Sequence, residues 1–164
     1  MVGVETAVNT FTTGEQGLPA VTALSDGGWL VAWTSYDGQD GDGSGICQQR
    51  YHADGSVFGG ETKVNTYTTS TQEFAQTAAF ADGGWVVTWD SDGQDGSETG
   101  VYQQRYDADG AAAGTETLVN LFTTDYQFSR GLTALDDGSW VVSWTSEGQD
   151  GSARGVYQRH YAPD

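Results

Sequence analysis

Carboxylates interrupted by glycines are the residues of this 164-residue chain best placed to do chemistry. The stretch Asp90-Ser91-Asp92-Gly93-Gln94-Asp95-Gly96-Ser97-Glu98 sets four acidic side chains among flexible turns. Ca2+ selects hard oxygen ligands that tight turns can aim at one point, so Asp90, Asp92, Asp95 and Glu98 are candidate calcium ligands. A matching stretch supplies Asp37, Asp40 and Asp42, and a later, weaker one supplies Glu147 and Asp150. The spacing departs from the EF-hand loop, in which acids at positions 1, 3 and 5 precede a glycine at 6. The alternative is structural: Asp-Gly turns with each Asp holding its own backbone amides. Charge favours the ion, because 6 Lys+Arg against 23 Asp+Glu leave a net −17, and that self-repulsion is relieved by bound cations.

Aromatic residues stand beside these loops. Trp33, Trp89 and Trp144 directly precede or border them, and Phe11, Tyr67 and Phe122 recur in the other long connections. Such rings could stack on sugars, although Trp-x-Val-x-Trp alternation suits a buried strand face better. Nothing resembles a Ser–His–Asp triad, a phosphate loop or a His-based metal motif. The carboxylate loops recur, whereas an active site is usually singular, so the expectation is a protein without catalysis. The same negative charge disfavours nucleic acid and anionic lipid as partners. No apolar run approaches the ~18 residues of a membrane helix, and the N-terminus lacks the pattern of a signal peptide. A single cysteine, Cys47, excludes an internal disulfide.

What must position these loops is a unit written three times. The pairs Trp29/Trp33, Trp85/Trp89 and Trp140/Trp144 repeat together with Asp-Gly-Gln-Asp-Gly at 37–41 and 92–96 and Glu-Gly-Gln-Asp-Gly at 147–151. Val-Asn returns at 8–9, 64–65 and 119–120, and Gln-Gln-Arg-Tyr at 48–51 and 103–106, with Gln-Arg-His-Tyr at 158–161. The copies run about 4–60, 61–115 and 116–164. Trp85, Val87 and Trp89 fall on one face by period-two alternation, with Val86 and Thr88 on the other. Asp82-Gly83-Gly84 reads as a hairpin turn. Four short strands per copy and no helical period predict an all-β chain of three four-stranded propeller blades.

The phase of the repeat matters as well. Glu5-Thr6-Ala7-Val8-Asn9 matches Glu61-Thr62-Lys63-Val64-Asn65, a blade's fourth strand, while the chain ends after a third strand. Residues 4–9 are therefore expected as the strand that completes a last blade lacking its fourth. Propeller rings hold about 4 to 8 blades, so three cannot close. The expected assembly is a six-blade homodimer.

The motifs Asp-Gly-Gly-Trp-Val-Val-Thr-Trp (82–89), Asp-Gly-Gln-Asp-Gly (92–96) and Val-Tyr-Gln-Gln-Arg-Tyr-Asp-Ala-Asp-Gly (101–110) resemble tandem repeats of large secreted or surface bacterial proteins, of the hemolysin-type calcium-binding and adhesin-like kind. The resemblance implies a propeller-like module outside the cell, calcium-dependent and adhesive; as a binding module it is expected to hold Ca2+ or a glycan on its acidic-loop face. It transfers no catalytic residue. The alternative is a self-assembling structural propeller fragment, natural or engineered, with no ligand of its own.

Overall fold

The computed structural model describes residues 3–163; Met1, Val2 and Asp164 lie outside the described residues. Among the described residues eleven strands form three antiparallel sheets in sequence order, each strand pairing within its sheet with its neighbour along the chain. The first sheet holds β1 (Gln16–Ala23), β2 (Trp29–Ser35), β3 (Gly45–Tyr51) and β4 (Val57–Lys63). The second holds β5 (Gln72–Ala79), β6 (Trp85–Asp92), β7 (Thr99–Tyr106) and β8 (Ala112–Leu118). The third has three strands, β9 (Gln127–Ala134), β10 (Trp140–Glu147) and β11 (Arg154–Tyr161). Each sheet is one blade, and the blades stand in series, with β1 against β5 and β5 against β9.

Local chemistry sets the hairpins. Between first and second strands, Gly27, Gly83 and Gly138 adopt φ of +85°, +95° and +84°, values L side chains avoid. In each turn the preceding aspartate accepts a backbone N–H two residues on: Asp26 from Gly28, Asp82 from Gly84, Asp137 from Ser139, at 2.8–3.0 Å. Between the second and third strands, Gly93 N–H donates to the Glu98 carbonyl and Gly148 N–H to the Ala153 carbonyl, closing the acidic loops on themselves.

Alternation sorts the side chains into two seams. Trp85, Val87 and Trp89 of blade 2 pack on Leu24, Leu30, Ala32, Ile46 and Val64 of blade 1. The reverse face of blade 2 (Ala78, Phe80, Val86, Val101 and Val119) receives Trp140, Val142 and Trp144 of blade 3. At ~25 cal/mol per Å2 and roughly 200 Å2 per ring, each buried Trp contributes on the order of 5 kcal/mol before its entropy cost. Covered on both sides, β6 is buried from Trp85 to Ser91. In β10 buried residues alternate with half-buried ones, because only one face has a neighbour.

Residues 4–9, expected as a strand, carry none here. The edge of β11 that such a strand would extend belongs to blade 3, while the segment leads into blade 1. It lies instead beside Trp33, Val31 and Gln16, where Thr6, Ala7, Val8 and Asn9 line one side of a shallow groove.

Candidate functional site

The acidic-loop ends of blades 2 and 3 enclose a cavity of about 230 Å3, lined by Thr71, Glu73, Phe74, Asp90, Asp92, Thr99 and Phe128. Asp90 is the buried carboxylate of its wall. The residue occupies a strand position held by Thr34 in blade 1 and Thr145 in blade 3, so the carboxylate is peculiar to the middle copy. The residue is 4% exposed. One oxygen accepts the Ser129 backbone N–H at 2.6 Å, and the other meets the Arg130 guanidinium at 3.2 Å. Burial dominates over these partners and pushes the Asp90 carboxyl up to about 7, with Glu73, its cross-strand neighbour, adding a like charge.

A bulge in β5 shapes the rim. The pairing of β5 with β6 slips between Glu73 and Gln76, and Phe74 within the slip takes φ of +61°. A bulge re-aims a side chain, and here Phe74 turns outward, 39% exposed. Arg130 sits above both Phe74 (5.1 Å) and Phe128 (5.2 Å), binding the two rings across the blade boundary. Phe128 in turn stacks on Tyr126 at 5.6 Å. The Tyr126 hydroxyl bonds Glu98, whose charge holds the phenol above its usual range. Aromatic rings, carboxylates and an arginine thus meet on this rim, with Phe74 and Tyr126 exposed and Phe128 half-buried between Tyr126 and Arg130.

The candidate calcium ligands are distributed differently. Asp90 and Asp92 share the cavity, with Asp92 taking the Ser70 hydroxyl at 2.7 Å. Glu98 stands across the rim on Tyr126. Asp95 and Asp150 hold the N–H groups of Ser97 and Ser152. Asp37 and Asp42 take the N–H groups of Glu15 and Ser70, and Asp40 takes the Asn65 carboxamide. Glu147 faces Arg154 at 3.8 Å. Among the described residues no three His, Cys, Asp or Glu side chains converge to hold a metal ion.

The tryptophans named as stacking candidates are corrected by burial. Trp33, Trp89 and Trp144 are 3%, 0% and 6% exposed, closed inside the blades. Phe11, Tyr67 and Phe122 are half-buried, and each backbone carbonyl anchors the Asn two residues before it. Glu73, Phe74, Tyr126, Phe128 and Arg130 lie outside the repeated motifs, so the repeat does not single them out. The departure of Asp90 from the threonine of its sister copies was the visible signal.

No family model matches the chain, and no curated protein matches it. Among solved structures the chain is similar to the endo-arabinase of Bacteroides thetaiotaomicron VPI-5482, with a TM-score of 0.56 and 14% sequence identity. The match covers 94% of this chain and 60% of that one, so the chain spans about three fifths of the enzyme's length. The likeness is one of fold, and it marks the architecture as β-propeller-like. It also overturns the exclusion of catalysis drawn from the sequence: an enzyme is built on this arrangement of sheets. Recurrence of the acidic loops does not bear on catalysis, since single positions such as the buried Asp90 differ between the copies.

Proposed function

We propose that the chain is a β-propeller repeat module that binds carbohydrate in the cavity between its second and third blades, working as half of a six-blade ring made with a second copy. Exposure outside the cell, on a secreted or surface bacterial protein, and calcium at the acidic loops belong to the same proposal. The observation that carries the reading is the Asp90 cavity, with a buried carboxylate, an arginine across it and two aromatic rims. The fold likeness to an endo-arabinase makes arabinan the first ligand to try. Calorimetric titration with arabinan and other polysaccharides tests it. Phe74→Ala, which removes the exposed ring of the rim, is expected to weaken binding about tenfold, the loss of one stacking contact. Heat signals equal for wild type and variant, or none with any polysaccharide, overturn the reading.

A second reading, glycoside hydrolysis, is supported by one observation. Glycosidases pair a carboxylic acid that keeps its proton near neutrality with a second carboxylate. Asp90, raised to about 7, faces Glu73 across the strand pair. In that reading Asp90 donates the proton to the leaving oxygen. Release of reducing ends from a bound polysaccharide, abolished in Asp90→Asn with binding retained, is the outcome it requires; binding without release rejects it.

A further inference from the structure

Resting on the six-blade reading above, we infer that residues 5–9 of one copy pair along the edge of β11 in a second copy, as a fourth strand on its three-stranded blade 3. Both halves of that contact are already shaped in the single chain. At the end of blade 1, the Asn65 side chain accepts the Ile46 N–H at 2.7 Å while the Val64 N–H donates to the Ile46 carbonyl. Asn120 and Val119 make the same pair of bonds to Val101. In blade 3 the corresponding residue is Val156, with no Val-Asn beside it. Its side chain is 84% exposed, where Ile46 and Val101 are at 0%.

The unused Val-Asn is Val8-Asn9, and its surroundings already match those of its sisters. The Asn9 carboxamide donates to the Phe11 carbonyl, as Asn65 does to Tyr67 and Asn120 to Phe122. Glu61 takes the Thr10 N–H and hydroxyl, as Glu116 takes those of Thr66. Val8 lines the groove beside Trp33 as Val64 packs in the cluster with Trp89. The segment is thus held on blade 1 where β4 ends on blade 2, with no sheet yet on its other side.

The blade faces at the two ends of the chain are complementary in the same way. Across each internal seam a tryptophan donates to a glutamine of the preceding blade, Trp85 to Gln48 and Trp140 to Gln103. Each seam also places an arginine over that tryptophan, Arg50 on Trp85 and Arg105 on Trp140. The end residues left over are a half-buried Trp29 and an exposed Gln158 and His160. A second copy supplies each with its counterpart, and two copies related by a two-fold axis form both seams and close at six blades. By the register of Cys47 with Lys63 and Gln48 with Thr62, Ala7 pairs with Tyr157 of the partner subunit and Thr6 with Gln158 of the partner subunit.

Directly opposed residues on antiparallel strands bring Cβ atoms to ~4.5–5.5 Å, within adjustment of the span a disulfide needs. The test therefore combines native mass with Ala7→Cys and Tyr157→Cys, made in separate chains of residues 1–164 that also carry Cys47→Ala, so that the introduced thiol is the only one in each. The wild type is expected at twice the mass of one chain. The two cysteine variants, unfolded, mixed, refolded and oxidised, are expected to yield a disulfide-linked dimer, and neither alone is expected to do so. Val156→Asp is expected to halve the native mass with the far-ultraviolet spectrum unchanged, because this side chain is exposed in the single copy. A doubled mass without the cross-link overturns the strand inference and leaves the ring standing. A single-copy or three-copy mass overturns both.

Discussion

The indole N–H of Trp85 donates to the side-chain carbonyl of Gln48 at 3.0 Å, across the boundary between the first two blades. Trp140 and Gln103 repeat the bond at 2.9 Å across the next boundary. Both partners are buried, so the bond aligns two oily faces that hydrophobic contact alone would leave free to slide.

Removing the acceptor strands the donor. Gln103→Leu leaves the Trp140 N–H buried without its partner, which costs about 1–3 kcal/mol. Urea unfolding is expected to show a lower midpoint at unchanged slope; an unchanged midpoint shows that the bond is replaceable.

Asn120 does more than one job. Its carboxamide accepts the Val101 N–H at 2.7 Å and donates to the Phe122 carbonyl and to Gln127. Asn120→Ala frees a buried backbone amide and unties the loop that follows β8, so it is expected to cost about 2–4 kcal/mol, more than Gln103→Leu. Thermal melting of the two variants side by side checks the order.

Asp90 makes stability depend on pH. Its carboxyl titrates at 3.8 when unperturbed and at about 7 in the fold, chiefly because burial penalises the charge. A raised folded value means the folded chain binds the proton more tightly. The stability this group contributes is complete below about pH 4 and is lost as pH rises through about 7. Asp90→Asn keeps an acceptor for the Ser129 N–H and cannot ionise. Relative to wild type, the variant is expected to gain on the order of 2–4 kcal/mol between pH 4 and pH 8. Parallel stability curves would show that Arg130 compensates the charge fully.

A net charge of −17 predicts stabilisation by salt. Sodium chloride is expected to raise the melting temperature through screening alone. The calcium part of the proposed function requires a further rise at matched ionic strength, reversed by chelator. Equal shifts for the two salts retire it.

Three copies of one motif made the sheets legible. Trp-x-Val-x-Trp with Asp-Gly turns names the second strand of each blade, and the alternation that put Trp85, Val87 and Trp89 on one face holds in the packing. Strand bounds were less clear, because bulges such as that at Phe74 leave no mark in alternation. Residues 4–9 share the pattern of β4 but not its pairing, since a strand needs an edge as well as a sequence. The cavity was partly visible: Asp90 and Asp92 stood among the candidates, while Glu73, Phe128 and Arg130 come from strands whose repeat gave no reason to single them out. Nearness across blades, over some 40 positions of chain, is not written in any local motif.

The middle blade is shielded on both sides and the outer two on one, so resistance to opening is graded along the row. In such arrays each unit leans on its neighbours, and disorder starts from the termini. Amide deuteration of the single-copy Val156→Asp chain will therefore creep inward from β11 and from residues 3–15, with the protons of β6 and β7 the last to exchange.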